Sequence, residues 1–95
     1  MDPVDTVKTF NGKVNPGSRV GVFQNRSGRP LMVTVHLAGL GLLELFDDNR
    51  KEGERVLCDL DVRDMAVLIV EVPNACRLLA TAKAPGLEVA IHFRP

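Results

Sequence analysis

Residues 31–38 read Leu-Met-Val-Thr-Val-His-Leu-Ala, with a large aliphatic side chain at every odd position. Successive side chains of a β-strand point to opposite faces of a sheet, so these aliphatic side chains would share one buried face. Residues 87–93 repeat the pattern, with apolar residues from Leu87 to Phe93 at the odd positions. Both stretches therefore predict half-buried strands and an all-β fold.

Two further stretches extend this interpretation. In residues 55–62, alternation predicts an apolar face, with Leu57 as the exception, and the predicted members of that face are Val56, Cys58, Leu60 and Val62. Residues 66–72 are apolar on both faces, which is typical of a central strand or of one whose outer face is covered by another subunit. Shorter or weaker strands are predicted over 19–24 and 76–82, whereas 42–46 could be a strand or one helical turn.

Turn signals separate these runs at short intervals. Asn11-Gly12 is a hairpin signal, and loops are expected at 15–17, 27–30, 49–53, 73–74 and 85–86. Such short connections require antiparallel pairing. We therefore predict a two-sheet antiparallel β-sandwich, jelly-roll or immunoglobulin-like, with seven to eight short strands. Residues 11–95 would form this single domain, and residues 1–10 an N-terminal arm or a weak first strand.

Composition limits the kind of protein. The chain has 95 residues, and 45% of them are hydrophobic. It contains four Phe but no Tyr and no Trp, so the core must be mainly aliphatic. Two cysteines do not make the disulfide framework of a small secreted domain. The first residues contain no apolar signal segment, and we expect synthesis in the cytoplasm, with a virion as one later destination. The apolar run 65–70 is too short for a membrane-spanning helix.

The net charge is zero, but the charges are unevenly distributed along the chain. No acid occurs between Thr6 and Leu43, whereas acids outnumber bases between Glu44 and Glu71. Either the molecule has a basic and an acidic part suited to packing against copies of itself, or folding interleaves the two segments. The second interpretation is the simpler one.

The residue pattern predicts no metal or cofactor site. Alternation places His36 and His92 on polar faces but Cys58 and Cys76 on apolar ones, so these side chains would not converge. The acidic turn 47–54 lacks the spacing of a calcium loop and contains cations.

Catalysis and other binding roles are not favoured either. No nucleophile motif is present, and the carboxylates of Asp59, Asp61 and Asp64 would lie on a wet surface. The Gly39-Leu40-Gly41 pair of glycines is better explained by a bend or by close backbone packing than by dinucleotide binding. With so few aromatic residues, we expect no nucleic-acid partner, and we expect neither a membrane nor a small-molecule substrate.

These exclusions leave protein–protein contact. We expect a non-enzymatic structural protein that forms a homo-oligomer or joins a larger protein lattice, most concretely a bacteriophage capsid cement or decoration protein. The apolar strand 66–72 supplies the surface, and Ile69→Asp should disrupt folding or assembly. The predicted interface residues are Val4, Phe10, Arg26, Arg29, Leu57, Val67 and Ile69.

Two alternatives remain open. A monomeric binding or inhibitor module would present the loops 15–18, 25–30 and 38–41 to a protein partner. A metal-dependent enzyme or carrier is the third and least favoured possibility. The oligomeric state of the chain distinguishes the assembly protein from the monomeric binding module.

Overall fold

The structure, a computed structural model, describes residues 7–93 and is all-β. Its strands in chain order are β1 (Val7–Thr9), β2 (Gly12–Val14), β3 (Arg19–Asn25), β4 (Leu31–Asp47), β5 (Val56–Val62), β6 (Met65–Val72) and β7 (Cys76–Phe93). Within residues 7–93, no helix is long and apolar enough to cross a membrane.

Two long strands organise the sheet. β4 and β7 have 17 and 18 residues and run antiparallel to each other along most of their lengths. β5 and β6 follow one another along the far side of β4, and β2 and β3 do the same along β7, with β1 outside β3. Hydrogen bonds thus join all the strands into one antiparallel sheet, and the predicted pair of separate sheets is not confirmed.

The sheet is bent across its middle. Strands of 17 and 18 residues would be about 56–59 Å long if straight, whereas the longest dimension of the molecule is 39 Å. The register of β4 against β7 shifts between Gly39 and Leu40, where Gly39 and Gly86 have φ of 125° and 128°. A β-carbon on Gly39 would overlap the carbonyl oxygen of Gly86. The bend therefore requires glycine, as the Gly39-Leu40-Gly41 pattern indicated.

The bend divides the sheet into two halves that share one core. The β6 half contains β2, β6, residues 31–38 of β4 and residues 87–93 of β7; the β5 half contains β1, β3, β5 and the rest of β4 and β7. Buried aliphatic side chains from both halves form a single cluster, and Phe23 meets Phe93 edge-to-face at 5.4 Å between ring centroids. We call the side of each half that faces this core its inner face.

The predicted apolar face of residues 55–62 is wrong in its burial. Val62 is buried, but Val56 and Leu60 are 41% and 37% exposed, and Cys58 is exposed as well. Within residues 7–93, β5 is an edge strand, so the core does not extend far enough to cover it. The register of β4 and β5 also shifts at Leu57, because Leu45 is paired with Cys58 and Phe46 with Val56. Leu57, which the sequence placed outside the apolar face, is partly buried against the core.

Three other predictions were changed or resolved. Residues 42–46 continue β4 as strand, and residues 38–41 are part of β4 instead of a presented loop. Within the described chain, β6 pairs with β4 alone, so residues 66–72 form an edge strand and not a central one. Periodicity reports which faces are apolar but not how many neighbours a strand has. Cys76 is buried, as predicted.

Candidate protein interface

Exposed apolar side chains concentrate on one surface. Six large apolar side chains are exposed in the part of the chain that the structure describes, and four of them lie on the outer face of the β6 half. Met65, Val67 and Ile69 of β6 are 75%, 63% and 68% exposed, and Met32 of β4 is 55% exposed. We call these four side chains the apolar row. Large apolar side chains exposed together on one face are typical of an interaction site.

The register of β4 and β6 produces this row. Odd-numbered residues of β6 point outward because the even-numbered ones pack toward the core, ending at the buried Val72. On β4 the parity is reversed, so Met32 and His36 point outward. Val67 lies opposite His36, and the β4 partner of Ile69 is Thr34. Directly opposed residues share a face, so the row borders the polar residues of β4.

Two histidines lie beside the apolar row. His36 and His92 come from neighbouring strands, both are exposed as the alternation predicted, and their ring centroids are 5.8 Å apart in an edge-to-face arrangement. Open grooves of ≈ 760 Å³ and ≈ 460 Å³ lie on this face, and His36 lines both of them. No group of three or more His, Cys, Asp or Glu side chains within the described residues is arranged to hold a metal ion.

The outer face of the β5 half is built differently. The guanidinium groups of Arg19 and Arg77 lie over the Phe46 ring at 5.6 and 5.0 Å from its centroid. Arg19 also pairs with Glu44 at 3.0 Å, and Arg77 with Asp48 at 2.9 Å. Arg19 belongs to the basic segment of the sequence and Glu44 to the acidic one, so their pair joins the two segments within one molecule. This agrees with the interpretation that folding interleaves the two segments.

Two of the predicted interface residues lie together, and others are distant from them. Val67 and Ile69 are neighbours on the outer face of β6. Arg29 is exposed and lines the larger groove together with Ile69. Val4 lies outside the described residues.

The remaining predicted residues lie elsewhere. Phe10 packs partly against the core, and its backbone N–H donates to the carbonyl of Val22 at 2.8 Å. Leu57 also packs against the core, so it adds little free apolar surface. Arg26 is exposed in the loop after β3.

The sequence interpretation missed Met32 and Met65. Met32 lies within the alternating stretch 31–38 on its outward parity, and Met65 is reached by following the alternation of 66–72 one residue further. Methionine adapts its shape to irregular partners and is common at binding surfaces.

Asn25 was also missed, and it organises the loop after β3. Its side chain is fully buried, and its amide nitrogen donates to the carbonyls of Arg29 and Val72 at 2.8 and 2.9 Å. Its side-chain oxygen accepts from the backbone N–H and the hydroxyl of Ser27. Residues 25–30 are therefore held by internal hydrogen bonds instead of being left free.

Apart from the histidine pair, the reactive side chains of residues 7–93 are exposed on the surface or buried singly. Burial raises the pKa of the Cys76 thiol, and the nearby carboxylate of Asp47 adds to that shift. Asp59 and Asp61 are exposed on β5. A raised thiol pKa is the opposite of what an activated nucleophile needs.

Comparison of the chain with known protein families, with curated proteins and with solved structures gives no match. The function must therefore be argued from the surface itself.

Proposed function

We propose that this chain is a non-enzymatic assembly protein that acts through the outer face of the β6 half. The single observation that supports the proposal is the apolar row, Met32, Met65, Val67 and Ile69, exposed together on one open sheet face. Burying such side chains against a partner gains about 25 cal/mol per Å² of apolar surface. The partner we propose is another copy of the chain, alone or within a larger protein lattice.

The chemistry of this face supports contact more than catalysis. Side chains of the apolar row line both grooves, together with polar groups that include Thr34, the two exposed histidines, Arg29, Lys13 and Glu88. Histidine and threonine at the rim of an apolar patch can supply hydrogen bonds to a partner, as the polar rim of an interface does.

Light scattering after gel filtration, over a range of protein concentrations, tests this proposal. We expect an oligomer for the wild-type chain and at least about tenfold weaker association for Ile69→Asp, because charge at an apolar contact must be desolvated. Ile69 is 68% exposed, so its replacement should leave the melting temperature almost unchanged. Of the two effects that the sequence predicted for Ile69→Asp, disrupted folding or disrupted assembly, we therefore expect the second. Val56→Asp, on the exposed edge of the β5 half, is the matched control and should associate like the wild type. A wild-type monomer at every concentration would contradict the proposal.

The narrower role that we propose is that of a small virion protein, such as a bacteriophage capsid cement. A capsid cement needs little more than a small stable domain with a surface for binding protein, and a short β-domain with an apolar sheet face meets both needs. This is an argument by analogy, because a fold does not by itself imply a function. The neighbouring genes provide the check. Adjacent capsid or tail genes would support this role, and an operon of metabolic enzymes would contradict it.

The monomeric binding module is less well supported by the structure. Of its three candidate loops, 38–41 is strand, and 25–30 is fastened internally through Asn25. The turn 15–18 is exposed, but backbone hydrogen bonds from Gly17 and to Ser18 join it to Ala82 of β7.

A further inference from the structure

We infer that two copies of the chain join through their β6 edges, in antiparallel register about a twofold axis at Val67, to form one continuous sheet. This inference rests on the proposed function and specifies its partner and geometry. The composition of β6 does not fit its place in the sheet. Residues 66–72 are apolar on both faces, as in a central strand, yet within residues 7–93 β6 pairs with β4 alone. A second β6 strand would make this strand central.

The backbone of β6 has hydrogen-bonding groups free for such pairing. The N–H of Gly39 donates to the carbonyl of Asp64 at 2.6 Å, so Asp64 directs its bonds toward β4. Alternate residues of an antiparallel strand bond to opposite sides. Met65, Val67, Ile69 and Glu71 therefore turn their N–H and C=O groups toward the open edge. The same residues carry the outward side chains, so one set of positions provides both the backbone bonds and the apolar row.

Charge selects the register. With the twofold axis at Val67, Arg63 of each copy lies opposite Glu71 of the other, while Met65 lies opposite Ile69. The side chain of Arg63 is 86% exposed, and the Asp61 carboxylate with which it forms an ion pair is half exposed, so the guanidinium has room to reach a second carboxylate. Glu71 is exposed at the other end of the strand. Opposite charges on facing strands stabilise pairing.

Neighbouring registers lack this match. An axis at Leu68 would place Met65 opposite Glu71 and Arg63 opposite Pro73. An axis at Ala66 would bring Asp61 opposite Glu71, where like charges repel. The register at Val67 is the one that pairs both charges and keeps the apolar side chains together.

Both faces of β6 gain cover in this arrangement. On the outer face, Val67 meets its own counterpart, flanked on each side by Met65 against Ile69. On the inner face, Ala66 and Leu68 are only partly buried at the rim of the core, and each would lie opposite the other across the axis. The pairing therefore continues the core and the apolar row at the same time.

Disulfide trapping tests the register directly. In a hydrogen-bonded antiparallel pair, facing Cα atoms are about 5.5 Å apart, within the range of about 4.4–6.8 Å that a disulfide spans. In a Cys58→Ser background, which removes the exposed native thiol, we expect Val67→Cys to form a covalent dimer when copper phenanthroline is added as oxidant. Ile69→Cys is the matched control on the same face. Its counterpart would lie four residues along the strand, about 14 Å away, and it should link at least about tenfold more slowly.

A charge-exchange experiment checks the same register without cysteine chemistry. Arg63→Glu and Glu71→Arg each place like charges opposite one another in both pairs, and each variant alone should associate about tenfold more weakly. An equimolar mixture of the two variants restores both opposite-charge pairs, so association should return to about the wild-type level. Melting temperatures close to wild type would show that each variant is folded.

The outcomes separate this inference from the proposed function. Equal linking by Val67→Cys and Ile69→Cys, or no linking in a protein that light scattering still shows as an oligomer, would overturn the edge pairing and leave the assembly role. A failure of the mixed charge variants to associate would likewise overturn the register. A wild-type chain that stays monomeric at all concentrations would overturn both proposals.

Discussion

β5 and β6 are consecutive segments along the same side of β4, yet they manage the open edge of the sheet in opposite ways. On β5, Asp59 and Asp61 alternate with the less polar residues and are exposed. On β6, the corresponding outward positions are held by Met65, Val67 and Ile69. Charges on an edge strand oppose pairing with another chain, and their replacement by aliphatic side chains removes that protection. The difference indicates that one segment of the edge is guarded and the other is available for pairing.

The outer faces behind the two segments repeat the contrast. Behind β5, Phe46 is covered by two arginines that are themselves paired with acids. Behind β6, the apolar row lies open beside His36. On the outer face of the β5 half the aromatic ring is thus covered within the molecule, whereas the outer face of the β6 half leaves four large apolar side chains exposed.

Gly39→Val should have the largest effect, because it removes the bend that separates the two halves. A β-carbon there overlaps the carbonyl of Gly86, and a β-branched residue does not tolerate φ of 125°. We expect a loss of at least about 3 kcal/mol of unfolding free energy, measured by urea denaturation. Gly53→Val, at a positive φ in an open turn, is the control for backbone strain alone and should lose less. Equal losses would show that the close approach at the bend is unimportant.

Phe46→Ala should destabilise the β5 half without changing assembly. The ring supports two guanidinium groups, each contact being worth roughly 0.5–1 kcal/mol near the surface, so a total loss of about 1–2 kcal/mol is expected. Chemical denaturation measures the stability and light scattering the association. Weakened association at unchanged stability would reverse the roles assigned to the two halves.

Replacing Asp59 and Asp61 together by Val should make the β5 edge resemble β6. We expect stability to change by less than about 0.5 kcal/mol, because both side chains are exposed. We also expect new, concentration-dependent species larger than any that the wild type forms, measured by sedimentation velocity. The same double replacement with Asn, which keeps the side chains polar, should add no such species. If the Val variant matches the wild type, charge is not what guards this edge.

The smallest expected effect concerns the two cysteines, because Cys58 is exposed on β5 and Cys76 is buried. Cys58 on the open β5 edge should react with Ellman's reagent at once, whereas Cys76 should react only on unfolding. Burial, and then the charge of Asp47, raises the pKa of Cys76, so less thiolate is present at any given pH and its reaction should require more alkaline conditions. Two equally fast thiols in the native protein would contradict the burial assigned to Cys76.

Much of the fold could be predicted from the sequence, since alternation over residues 31–38 and 87–93 identified the strands and their buried faces. The single bent sheet could not, because strand length depends on whether glycines such as Gly39 interrupt a strand or bend it. Alternation also could not show that β5 and β6 lie at an edge, so it assigned Leu60 to the core and could not decide whether residues 66–72 were a central strand or one covered by another subunit. For the candidate interface, Val67 and Ile69 were identified because a strand with two apolar faces is visible in sequence, whereas Val4, Phe10 and Arg26 were chosen without a pattern that locates them on one surface.

The most direct measurement is hydrogen–deuterium exchange of the backbone amides at low and high protein concentration. We predict that the amides of Met65, Val67 and Ile69, which point to the open edge, become slower to exchange as concentration rises, whereas the edge amides of β5 stay fast. Fast exchange at Val67 at every concentration, in a chain whose β4–β6 amides are protected, would contradict it.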